Sequence, residues 1–109
     1  MSNKTASGLT ISELSEIAHC CQAYSEIADA ALFGSRTKGT QKRGSDVDIA
    51  LMGNSVSYET AIAVSERLNE ESALPYFFDV IAYNRIDNKA LIDHIDRVGI
   101  SLFNADQQI

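Results

Sequence analysis

Apolar and polar residues follow different rhythms along the chain, and each rhythm predicts an element. Residues 1–8 (MSNKTASG) are polar and read as a flexible N-terminus. Thr10 and Glu13 then form a Thr-x-x-Glu capping pair. Leu14, Ile17, Ala18 and Cys21 follow at helical spacing, which predicts a helix over about 10–24. Residues 29–33 (DAALF) are an apolar run that stops at Gly34, the pattern of a buried strand. In residues 46–52 (DVDIALM) Val47, Ile49 and Leu51 alternate with Asp46, Asp48 and Ala50, the pattern of a half-buried strand.

After a turn, Ala61, Val64, Ser65 and Leu68 predict a second helix over about 57–70. Residues 76–83 (YFFDVIAY) are aromatic and β-branched and read as a strand with one internal charge, Asp79. Tyr76, Phe77 and Phe78 are expected in the core. Asp87 is placed as the cap of a third helix that carries Leu91, Ile95 and Val98 on one face and stops at Gly99. Residues 100–103 suit a short last strand, and 105–109 a polar tail. The order α-β-loop-β-α-β-α-β predicts one α+β domain over 9–104, an α/β sandwich with about three helices flanking a mixed sheet of about four strands.

Composition narrows the function. With 109 residues the chain is one domain. Nine Lys and Arg against fifteen Asp and Glu give a net charge of −6, which argues against a general nucleic-acid coat. Two adjacent cysteines, Cys20 and Cys21, supply neither a disulfide scaffold nor a tetrahedral zinc site. No signal peptide or membrane-length apolar run is visible, so a cytoplasmic protein is expected. His19 and His94 fall in predicted helices and read as ordinary helix residues.

The positive charge is unevenly spread. Arg36, Lys38, Lys42 and Arg43 fall within eight residues of the loop that joins the first two strands. Strand alternation turns Asp46 and Asp48 to one face, and pairing with the next strand brings Asp79 beside them in one register. Carboxylates so placed, at ~5 Å and an effective dielectric of ~20, repel by roughly 3 kcal/mol per pair. A cation offsets that cost, and an all-oxygen set with open positions suits Mg²⁺ or Mn²⁺ carried with a substrate's phosphates. Gly34 allows a sharp bend and a close approach, and the N–H groups and hydroxyl around Ser35 suit phosphate oxygens.

Gly34-Ser35, ten residues, then Asp46-Val47-Asp48 resembles the signature of the DNA polymerase beta-like nucleotidyltransferases. The stretch LFGSRTKGTQKRGSDVDIAL looks most like the minimal nucleotidyltransferases, stand-alone domains of about this length. The resemblance implies the polymerase beta-like fold and transfer of AMP from ATP to a hydroxyl with release of pyrophosphate. It implies two Mg²⁺ ions, Asp46, Asp48 and Asp79 as the catalytic and metal-binding carboxylates, and Gly34, Ser35 and Arg36 as nucleotide-binding residues. Such proteins pair with HEPN-domain ribonuclease toxins, so the subfamily also implies an antitoxin that adenylylates a tyrosine of its partner. Two rivals are a non-catalytic nucleotide-binding antitoxin and an enzyme acting on a small molecule. Neither nucleic acid nor a membrane is an expected partner.

Overall fold

The computed structural model describes residues 5, 7–36 and 46–103. Helix α1 (Ile11–Gln22) starts at the expected capping box. The Glu13 N–H donates to Thr10 Oγ1 at 3.0 Å, and the Thr10 N–H donates to Glu13 Oε1 at 2.9 Å. Strand β1 (Asp29–Phe33) runs into a 3₁₀ turn, Gly34–Arg36. Strand β2 (Val47–Met52) and helix α2 (Tyr58–Glu66) follow, and α2 widens into a π-helical turn, Arg67–Glu71. Strand β3 (Phe78–Ala82) and a 3₁₀ turn, Tyr83–Arg85, lead to helix α3 (Lys89–Val98) and the short strand β4 (Ile100–Ser101).

The four strands form one sheet in the order β3-β2-β1-β4. β1 is antiparallel to β2 and β4, whereas β2 and β3 are parallel and joined through α2. The mixed α+β architecture expected from the order of elements is therefore present.

Alternation divides the sheet into two unequal cores. Ala30 and Leu32, then Val47, Ile49 and Leu51, then Phe78 and Ala82 pack with Ile17 and Cys21 of α1 and Val64 of α2. The opposite face holds a smaller cluster of Phe33, Ala50 and Ile95 under α3. With fewer apolar residues there, part of that face is left to polar side chains.

Several boundaries differ from expectation. Asn88, not Asp87, caps α3: its Oδ1 accepts from the Leu91 N–H at 3.2 Å. An Asx side chain serves only from the residue whose backbone has not yet turned helical, and Asn88 holds that position. β3 begins at Phe78, so the aromatic trio splits. Phe78 is fully buried, Tyr76 is half-buried, and Phe77 is 60% exposed, because consecutive residues of an extended chain face opposite ways. At the other end of the chain, Thr5, Ser7 and Gly8 make local hydrogen bonds. The Gly8 N–H donates to the Thr5 carbonyl at 2.9 Å, and Ser7 is 5% exposed.

Candidate functional site

The strand registers bring two of the predicted carboxylates together. Phe33 of β1 pairs with Asp48 of β2, and Asp48 pairs with Asp79 of β3. The three residues form a row across the sheet on the face that α3 covers only in part. Neighbouring strands lie about 4.8 Å apart, so Asp48 and Asp79 are side by side. Asp46 sits one residue before β2 and is exposed.

The electrostatics reflect this crowding. The Asp48 carboxyl is held above its ordinary value, first by partial burial, then by the charges of Asp79 and Asp46. All three predicted carboxylates therefore share one electrostatic neighbourhood. Among the described residues no three His, Cys, Asp or Glu side chains close into a ready-made cage. The donors are nevertheless all carboxylate oxygens, the chemistry that a hard divalent cation prefers.

Gly34 lies against this row. Its φ is +85°, in the left-handed region that favours glycine. A Cβ at this position would overlap Asp48 Oδ2 and sit 3.2 Å from Asp48 Cγ. The absence of a side chain is what lets the turn approach the carboxylate. Ser35 follows within the same 3₁₀ turn and is half-buried.

Arg36 is turned inward. It is only 4% exposed, and its Nη1 donates to the Ser7 carbonyl at 2.9 Å. Its guanidinium carbon lies 5.0 Å from the centre of the Tyr76 ring. The Tyr76 hydroxyl in turn donates to both Glu13 carboxylate oxygens, at 2.9 and 3.0 Å. These contacts tie the turn after β1 to the N-terminal segment, the lead-in to β3 and the start of α1. We expect Arg36→Ala to lower the melting temperature by about 10 °C or more, corresponding to roughly 2–3 kcal/mol for an orphaned buried carbonyl and an unstacked ring. Calorimetric ATP affinity separates the roles. A loss of ATP binding with no change in melting would assign the side chain to phosphate instead. Lys38, Lys42 and Arg43 lie outside the described residues.

His94, read from the sequence as an ordinary helix residue, reaches the same sheet face. Its ring meets Phe33 edge-on, with centroids 6.2 Å apart and planes at 76°. No local signal marks that contact, because it depends on how α3 crosses the sheet. His19 is exposed on α1. Cys20 and Cys21 are buried free thiols, and burial pushes Cys21 up to about 12, so both belong to packing. Among the described residues no helix is long and apolar enough to cross a membrane.

The chain belongs to the polymerase beta nucleotidyltransferase family, whose profile matches residues 15–108. A comparison with curated proteins finds no match. Solved structures that share the fold include two toxin–antitoxin structures. One is a crystal structure of a toxin–antitoxin with AMP-PNP, with a TM-score of 0.68 and 23% identity over 92% of this chain and 77% of that one. The other is a toxin–antitoxin MntA-HpeT mutant in which two aspartates two positions apart are changed to glutamate. Its TM-score is 0.66, with 19% identity over 92% of this chain and 77% of that one.

Proposed function

We propose that this chain is a Mg²⁺-dependent nucleotidyltransferase that moves AMP from ATP to a tyrosine hydroxyl of a HEPN-type toxin and so acts as its antitoxin. The observation that carries the proposal is the row of Asp48 and Asp79 with Gly34 packed against it, which sets a glycine turn directly beside paired carboxylates. The family match supports the transferase chemistry. The likeness to a toxin–antitoxin with AMP-PNP supports the nucleotide and the partner class.

Each residue has a task in this reading. Asp46, Asp48 and Asp79 would hold the divalent ions. Bound there, Mg²⁺ would neutralise the triphosphate and lower the barrier to attack at phosphorus. The Gly34–Ser35 turn offers backbone N–H groups and the Ser35 hydroxyl to phosphate oxygens. The acceptor oxygen bonds to the α-phosphorus, the bond from that phosphorus to the β-bridging oxygen breaks, and pyrophosphate leaves. The acceptor proton passes to an Asp79 carboxylate oxygen. Catalysis is then mostly positioning and charge neutralisation.

The test is the intact mass of a HEPN-type toxin co-expressed with this chain and incubated with ATP and Mg²⁺. Wild type is expected to add one or more increments of roughly 329 Da, the mass of one transferred AMP group. Asp46→Asn is expected to add none. An unmodified toxin held in a stable complex by both chains would refute the transferase reading and favour neutralisation by contact alone.

A further inference from the structure

We infer that Asn69 is a positioning residue for Asp79, a conclusion that rests on the transferase reading above. β3 is an edge strand of the sheet. In its parallel pairing with β2, the Phe77 carbonyl accepts from the Val47 N–H at 2.9 Å. Alternation then points both backbone groups of Phe78 away from β2, toward the open edge. Asn69 meets both. Its Oδ1 accepts from the Phe78 N–H at 2.8 Å, and its Nδ2 donates to the Phe78 carbonyl at 2.9 Å. One side-chain amide thus does what a residue of a further strand would do.

The amide is itself fixed. Its second N–H donates to Ser65 Oγ at 3.2 Å, so the three bonds determine which end is oxygen and which is nitrogen. Asn69 lies in the π-helical turn that follows α2, where the Ser72 N–H reaches back five residues to the Arg67 carbonyl at 3.0 Å. Such wide turns are rare and recur at functional sites. Leu68, 1% exposed, anchors the turn in the core.

Phe78 immediately precedes Asp79. The clamp therefore sets where the edge strand begins, and with it the register that places Asp79 opposite Asp48. An edge strand without this support has only one neighbour to hold it. A carboxylate at position 69 keeps the acceptor for the Phe78 N–H but turns a second oxygen on the Phe78 carbonyl, which breaks the clamp on one side.

The experiment compares Asn69→Asp and the milder Asn69→Ala with Val64→Ala. Val64 is fully buried on α2 and belongs to the core of the opposite sheet face, so Val64→Ala serves as a stability-matched control. Toxin modification is followed well below all melting temperatures, with ATP affinity measured by calorimetry and backbone hydrogen exchange measured over residues 78–82. The expected result is a kcat lower by about 10- to 100-fold in the Asn69 variants, the cost of misplacing a reacting group by about 1 Å. ATP affinity stays within about twofold, and exchange over 78–82 quickens relative to the control. A kcat equal to that of Val64→Ala, or unchanged exchange, would overturn the inference. A wild-type chain that transfers nothing would refute the transferase reading itself. Quickened exchange would then still uphold Asn69 as the clamp on β3.

Discussion

Replacing Asp48 with asparagine is expected to raise the melting temperature of the metal-free protein while cutting nucleotidyl transfer by at least about 10³-fold. The two effects share one cause. Burial and the charges of Asp79 and Asp46 hold the Asp48 carboxyl above its ordinary value, so the folded chain keeps this proton more tightly than the unfolded chain does. Its contribution to stability is fully present below the unfolded value of about 4 and is lost as pH rises through the higher folded value. At neutral pH the ionised side chain therefore works against the fold. Like charges directly opposite each other on neighbouring strands cost on the order of 0.5–1 kcal/mol, which in a chain of this size is roughly 2–6 °C.

Thermal melts of wild type and Asp48→Asn in chelator, from pH 3 to pH 8, check the sign. The gain should be largest near neutrality, should shrink as pH falls through the raised folded value, and should vanish below about pH 4, where the carboxyl is protonated in the folded and the unfolded chain alike. Added Mg²⁺ should raise the wild-type melting temperature and leave the variant nearly unmoved. A variant that melts below wild type at pH 7 without metal would show that Asp48 is a structural acceptor, and the account of the acidic row would fail.

The legible parts of this protein were those that depend on short-range periodicity. Alternation placed Asp46 and Asp48 on one face, and a single conditional, pairing of the two strands, placed Asp79 beside them. The parallel register of β2 and β3 meets that condition. The parts that were not legible depend on residues far apart in sequence. Arg36 sits in the expected turn, yet it contacts the Ser7 carbonyl 29 residues earlier and the face of Tyr76. Asn69 falls within the predicted second helix, and only the edge-facing groups of Phe78 give it a task. Phe77 and Phe78 have the same composition and opposite fates, because one residue decides which side of an edge strand a ring occupies.

Gly34→Ala is expected to damage transfer heavily, although it removes no functional group. Two penalties act together. The φ of +85° costs an L-residue about 1–2 kcal/mol, and the new Cβ overlaps the Asp48 carboxylate. Neither neighbour can yield without effect. If the turn withdraws, the N–H groups that the proposed function assigns to phosphate would move; if Asp48 rotates, its oxygens leave the row shared with Asp79. Displacing either by about 1 Å predicts a loss in kcat/KM of about 100-fold or more, with a stability loss of about 1–3 kcal/mol. The double variant Gly34→Ala, Asp48→Ala isolates the contact. With the Asp48 side chain cut back to its Cβ, the methyl group no longer meets an oxygen, so only the backbone penalty should remain. The double-variant cycle should depart from additivity by about 0.5–3 kcal/mol in the stabilising direction. Strict additivity would mean that turn and carboxylate act independently, and the close approach of Gly34 to Asp48 would then have no part in building the site.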